Sequence, residues 1–325
     1  MRYAFPSTLA VVLILLIFSV ATHAAETAYA WLMKMNQAAR QLNYDGTFVY
    51  QHGVQLEAMR IVHRAAEGAV KERLVSLTGS AREVIRDEQQ VMCYLPNRNS
   101  VVVEHRLTRD KRFPAILPEH LDSLKKHYNI KLGSQGRVTG RVAQSVIIKP
   151  RDKYRYGYHL WSDTETGLLL KADLVDHMGS TLEQFMFAQV RIGGVIKSSD
   201  LEPDMSAQDM SWYWGKTMDR DNVKPLKDWS IAKLPTGFVL SNHMMRKNPT
   251  RNNPVEHLVY SDGLAAVSVF IEKIDSRMGP AMRGTSRMGA VHAYGNVINE
   301  HQLIVVGEVP AATVELIGES VTAKP

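Results

Sequence analysis

Histidines, one cysteine and a Ser-x-x-Lys tetrad are the residues from which this chain could build chemistry. The twelve histidines run from His23 to His301 with no His-x-His or His-Glu-x-x-His spacing. His120 and His127 are seven residues apart and could share a helix face, but a zinc site asks for clustered ligands and no Cys or carboxylate cluster accompanies them. Ser123–Lys126 matches the nucleophile tetrad of penicillin-binding enzymes, yet no Lys-Thr-Gly follows it. Gly284–Gly289 (GTSRMG) misses the spacing of a nucleophile elbow, and neither a P-loop nor a Gly-x-Gly-x-x-Gly run occurs. Cys93 is the sole cysteine, so no intramolecular disulfide can form. It reads as a small side chain packed in QQVMCYL, or as an intermolecular bridge. The expectation is a protein without catalytic residues, metal or cofactor.

The cations say more. Arg106, Arg109, Lys111 and Arg112 form one group, and Arg246, Lys247 and Arg251 another. Between them lie Lys149, Arg151, Lys153 and Arg155, interleaved with Tyr154 and Tyr156. A solvated face explains each group alone. Together with a net charge of +6 they favour an anionic partner. The compartment selects which. Arg2, the apolar run Leu9–Val20 and the small residues Thr22 and Ala24 read as a secretory signal peptide over 1–24, cut after Ala24. The run is too short to span a bilayer comfortably. The mature chain is then expected to be soluble and exported, and for an exported protein a phosphorylated lipid or an acidic peptide is a plausible anion and nucleic acid is not.

Periodicity supplies the elements that would position these groups. Ala28, Trp31, Leu32, Met35, Ala38, Ala39 and Leu42 fall on one face of a helix over Thr27–Leu42. Thr47–His52, Leu56–Arg64, Val70–Leu77 and Arg82–Arg86 read as an antiparallel meander with Gly53, Gly68 and Gly79 at its breaks. Its apolar residues alternate with Arg60, Arg64, Lys71, Arg73 and Arg82, as in a sheet with one wet face. Further strands follow to Val190, with Asn129–Leu132 and Gly136–Thr139 as two short ones. The first domain, 25–197, is thus one helix with about nine strands or more, a large sheet or open barrel. Residues 198–227 are polar and turn-rich around Trp212–Trp214 and read as a linker. Residues 228–325 read as a smaller α+β domain of about five strands and a closing helix near Pro310. Its clearest feature is a hairpin turned by Ser261, Asp262 and Gly263.

Several long blocks carry a resemblance. GTFVY, R-x-V-H-R, G-x-V-x-E-R-L-x-x-L-x-G and R-E-V-I-R lie in order between Gly46 and Arg86. LPTGF, VYSDGLAAVSVFIE, GAVHAY and VVGEVPAAT lie in the second domain. With these the chain resembles the RseB/MucB family of periplasmic sigma-factor regulators. The resemblance implies a mostly β fold of α+β class: a LolA/LolB-like curved antiparallel sheet, an open half-barrel wrapping helices around an apolar cavity, plus the smaller C-terminal domain. It also implies that the C-terminal domain and the junction bind the periplasmic part of a membrane anti-sigma factor (RseA or MucA) and shield it from regulated proteolysis. Lipopolysaccharide, or a related phosphorylated lipid, would release the shield. Phe48, Tyr50, Met59, Ile61, Val75 and Leu77 are the expected cavity lining, since a curved sheet can offer an apolar pocket with a polar mouth. Lys149, Arg151, Lys153 and Arg155 are the expected anion contacts. A lipid or lipoprotein carrier is the rival reading, an exported hydrolase a second, and a homo-oligomer stays open.

Overall fold

The computed structural model describes residues 27–66, 68–105, 117–118, 121–206, 208–214, 228–247, 253–275 and 279–324. The expected signal peptide, His120, the first cation group and Arg251 lie outside them. Thr27 starts α1 (Ala28–Gln41) by accepting a hydrogen bond from Ala30 N at 3.2 Å, which satisfies a helix-end donor that has no partner within the helix. Ala28, Trp31, Leu32, Met35 and Ala38 recur at three- and four-residue intervals and are all buried.

That stripe packs on one face of a twelve-stranded sheet. Its strands are β1 (Tyr44–His52), β2 (Gln55–Ala66), β3 (Ala69–Ser76), β4 (Glu83–Arg86), β5 (Gln90–Leu95), β6 (Ser100–His105), β7 (Tyr128–Val138), β8 (Arg141–Pro150), β9 (Gly157–Asp163), β10 (Leu169–Val175), β11 (Thr181–Ile192) and β12 (Ser211–Trp214). A short helix, α2 (Leu124–His127), leads into β7. The order is β12-β6-β5-β4-β3-β2-β1-β11-β10-β9-β8-β7, antiparallel except where β12 runs parallel to β6. The main core lies between α1 and the middle strands, with Phe48, Met59, Ile61, Leu160, Phe185 and Phe187 in it.

Two departures from the sequence reading have physical causes. Asn129–Leu132 and Gly136–Thr139 were expected as separate strands but belong to the single strand β7, irregular between Leu132 and Gln135. Side chains of β8 replace the missing ladder bonds there: Gln144 Nε2 donates to Gly133 O and Ser145 Oγ to Ser134 O, both at 2.8 Å. Residues 196–206 and 208–214 were expected as the end of the first domain and the start of an exposed linker, yet they pack along the sheet. Ile196 and Leu201 cover Val62, and Met205 and Met210 cover Ile85, Tyr94, Val101 and Val103. A buried Arg73–Glu83 pair at 3.0 Å reaches out to Asp204 and pins this strap. Polar composition hid it, because its few apolar anchors are widely spaced.

The second unit is a six-stranded antiparallel sheet with a separate ribbon. The ribbon pairs β13 (Trp229–Ile231) with a last strand at Val321–Ala323. The sheet has β14 (Val239–Lys247), β15 (Pro254–Ser261), β16 (Ala266–Lys273), β17 (Gly284–Met288), β18 (Val291–Ile298) and β19 (His301–Gly307), in the order 14-15-16-19-18-17. Helix α3 (Ala311–Glu319) packs Val314 and Ile317 on it, with Pro310 as N-cap, before the ribbon strand β20 (Val321–Ala323). β17 is an edge strand exposed at every position, so it carries no apolar alternation by which a sequence reading could find it. Among the described residues no helix is long and apolar enough to cross a membrane.

Candidate functional site

The chemistry of this molecule concentrates where the two units meet. Ser261, Asp262 and Gly263 turn the β15–β16 hairpin, and the turn divides the work of one carboxylate. Asp262 Oδ1 accepts from Leu264 N at 2.9 Å and Ala265 N at 2.8 Å, which fixes the turn. Asp262 Oδ2 points into the first domain. It accepts from Arg155 Nη1 at 2.6 Å and Tyr128 Oη at 2.8 Å. The side chains of Arg155 and Asp262 are both 0% exposed. Arg155 also donates from Nη2 to Thr236 O at 2.7 Å and from Nε to Asp152 Oδ1 at 3.2 Å. Its guanidinium lies 5.1 Å from the Phe238 ring and 5.6 Å from the Tyr128 ring. Burial, then the Asp262 carboxylate and the hydrogen bond to it, hold the Tyr128 hydroxyl far above the usual tyrosine range, so it stays a donor. Thr313 of α3 donates to Tyr154 O at 2.6 Å and extends the seam.

A second polar contact crosses further along. Tyr50 donates to Glu183 of β11. Glu308, after β19, hydrogen-bonds to the same Glu183. Burial and then the Glu183 carboxylate push Glu308 up to about 8. The residue as a whole is exposed, so the neighbouring carboxylate is the cause to weigh. Burial also pushes the nearby Tyr156 up to about 12, with Oη 3.3 Å from His292 Nδ1. Beside this contact lies a cleft of about 290 Å³ lined by Gln51, Thr181, Gln184, Arg287 and others of both units.

The sign of the Glu308 shift sets a pH dependence. Docked, Glu308 keeps its proton; undocked, it loses it near the ordinary value of about 4.3. The stabilisation of the docked form is complete below that value, declines as pH rises, and is gone above about 8. The thermal midpoint of the wild type is therefore expected to fall relative to Glu308→Gln between those limits. Parallel curves for the two proteins would remove Glu308 from the contact.

The expected cavity lining divides in two. Phe48, Met59 and Ile61 are buried under α1, and Tyr50 is turned to the domain junction. Val75 and Leu77 are on the opposite face. Ile61 pairs with Leu74 and Met59 with Ser76, so it is Leu74 and Ser76 that share the α1 side. Of the expected anion contacts, Lys149, Arg151 and Lys153 are exposed beside the seam, whereas Arg155 is consumed inside it. Tyr128, Thr236, Glu183 and Glu308 were missed. An arginine set between two tyrosines was the one hint that Arg155 is buried. Among the described residues no group of three His, Cys, Asp or Glu could hold a metal ion.

The MucB/RseB N-terminal domain family matches residues 27–205, and the MucB/RseB C-terminal domain family residues 223–322. A Pseudomonas aeruginosa protein, the sigma factor AlgU regulatory protein MucB, is 33% identical over 310 residues, covering 93% of this chain and 92% of that one. The crystal structure of MucB in complex with MucA(peri) superposes with a TM-score of 0.71 at 30% identity, over 92% of this chain and 99% of that one. The Pseudomonas aeruginosa MucA/MucB complex gives a TM-score of 0.72 at 30% identity, with the same coverage.

Proposed function

The chain belongs to the MucB/RseB family, and on that footing we propose that it binds the periplasmic segment of a membrane anti-sigma factor and shields it from regulated proteolysis. It acts as a regulator and carries out no reaction of its own. The observation that carries this reading is the match of both domains, in order and over nearly the whole chain, to a protein whose structure was solved with MucA(peri). The seam supports it further: two units joined through a few buried polar contacts give a junction whose geometry a ligand can bias. A ligand shifts such an equilibrium only through different affinities for its two states. A phosphorylated lipid that prefers the partner-free form would release the shield, and Lys149, Arg151 and Lys153 are the cations beside the seam.

The test uses the purified mature chain, the periplasmic segment of its cognate anti-sigma factor and the site-1 protease. Cleavage of the segment is expected to slow at least about tenfold when the chain is present, which corresponds to about 1.4 kcal/mol of protection. Lipopolysaccharide is expected to restore cleavage. Unchanged cleavage with and without the chain would defeat the regulator reading and favour the carrier. Release that persists after Lys149, Arg151 and Lys153 are changed to Gln would place the lipid contact elsewhere.

A further inference from the structure

Away from the seam, the ladders line up one residue from each of six strands on the α1 side of the sheet. Ile61 pairs with Leu74, Leu74 with Val84, Val84 with Cys93, Cys93 with Val102 and Val102 with Tyr213. Every member of this row is apolar, aromatic or a thiol. Exposure rises along it, from 0% at Ile61 under α1, through four half-buried residues, to 60% at Tyr213. From Val84 to Tyr213 the row crosses three interstrand gaps, roughly 14 Å at the usual spacing, room for an extended alkyl chain of moderate length.

Cations stand at one side of this track. Arg82 precedes β4 and shares the alternation of Val84, with its carbonyl accepting from Ser76 N at 2.9 Å. A recess of about 380 Å³ opens here, lined by Arg82 and Arg98, by Ser76, Thr78, Ser80 and Asn97, and by Glu57. Arg82 Nε is closed off from solvent and has no hydrogen-bond partner among the described residues. Among the described residues Arg82 makes a single ion pair, a loose one at 3.9 Å to Glu57. The thiol of Cys93 is raised by burial and pulled back by the Arg82 guanidinium, so the cation acts on the track itself.

An apolar track flanked at one side by two guanidinium groups and several hydroxyls is complementary to one kind of molecule. We propose that the recess between Arg82 and Arg98 seats the phosphate of an alkyl or acyl phosphate whose chain lies along Leu74, Val84, Cys93 and Val102. The inference rests on the reading that a phosphorylated lipid releases the shield, and it places that lipid on this side of the sheet, away from Lys149, Arg151 and Lys153. Arginine forks match phosphate oxygens bidentately, and each methylene laid on the track leaves water. Glu57 opposes the anion.

Cys93, the only cysteine, reports on the track. The mature chain is treated with a maleimide at mildly alkaline pH, and the rate of Cys93 modification is compared with and without dodecyl phosphate below its micelle threshold. The ratio of the two rates is the readout, because Arg82 itself affects the thiol. Dodecyl phosphate is expected to slow modification about tenfold or more. The double variant Arg82→Gln, Arg98→Gln is expected to raise the half-protecting concentration about tenfold, and Glu57→Gln to lower it. Equal protection by inorganic phosphate would mean a free-anion site, and equal protection by dodecanol an apolar patch without a headgroup seat; either overturns the proposal. So does protection that survives in the double variant and is lost when Lys149, Arg151 and Lys153 become Gln. Slowing of anti-sigma cleavage without lipid tests the regulator reading alone, so the two can fail separately.

Discussion

Asp262→Ala is expected to uncouple the two domains at a cost of about 3–5 kcal/mol, the range seen when one partner of a buried ion pair is removed. The size follows from what remains behind. Arg155 has 0% side-chain exposure and would keep its charge with, among the described residues, only Asp152 and the Thr236 carbonyl as hydrogen-bond partners. Tyr128 Oη would lose its acceptor. The hairpin would also lose the two turn bonds to Oδ1. The least costly escape is to undock, so that Arg155 and Tyr128 reach water. Calorimetry of the wild type should show one coupled transition, and the variant two separate ones, with a larger radius of gyration in small-angle scattering. Asp262→Asn should fall between them, since an amide oxygen can still hold the turn but carries no charge for Arg155. A single transition at the wild-type temperature in Asp262→Ala would show that the domains are held by the rest of the seam. The same variant bears on function: a partner that needs both domains in register should bind it more weakly, whereas one that needs a single domain should not notice.

What the sequence disclosed and what it withheld divide along the range of the interaction. The α1 stripe from Ala28 to Ala38, the meander from β1 to β4 and the Ser261–Gly263 turn are written in neighbouring residues, and all are legible. Parity within β3 was not. Leu74 and Val75 are adjacent and both apolar, so alternation could not say which faces α1; the ladder to Ile61 decides it for Leu74. The seam was out of reach for a different reason. Arg155 and Asp262 are 107 residues apart, and no local pattern distinguishes an arginine destined for a buried carboxylate from one destined for solvent. The resemblance to a regulator family pointed to the junction as a place, but the residues that make it are a fact of tertiary packing. The apolar row from Ile61 to Tyr213 has the same character. Each strand contributes one ordinary hydrophobic residue, and only the register makes a track of them.

Gly237→Ala is the other substitution expected to act strongly, about 2–5 kcal/mol from backbone strain and overpacking together. Phe238 N donates to Pro235 O at 3.1 Å and closes the turn of the LPTGF block. Gly237 occupies its third position at φ +92°, a conformation that L side chains rarely adopt. The turn also aims the Thr236 carbonyl at Arg155 Nη2. Alanine at 237 penalises that backbone, and its Cβ would run into the ring of His127 at the end of α2. Relaxing the strain would rotate the Thr236–Gly237 peptide and withdraw its carbonyl from Arg155. Gly263 separates these causes. It too has positive φ, +104°, but a Cβ there would meet nothing nearer than Pro118 Cβ at 3.5 Å. Gly263→Ala should therefore cost only the backbone strain, about 1–2 kcal/mol, and leave the domains docked. Urea midpoints of the two variants give the difference. Equal losses would mean that the contact with His127 and the Thr236 carbonyl contributes nothing. A clearly larger loss at Gly237, with the two-transition behaviour expected of Asp262→Ala, would tie the LPTGF turn to the seam.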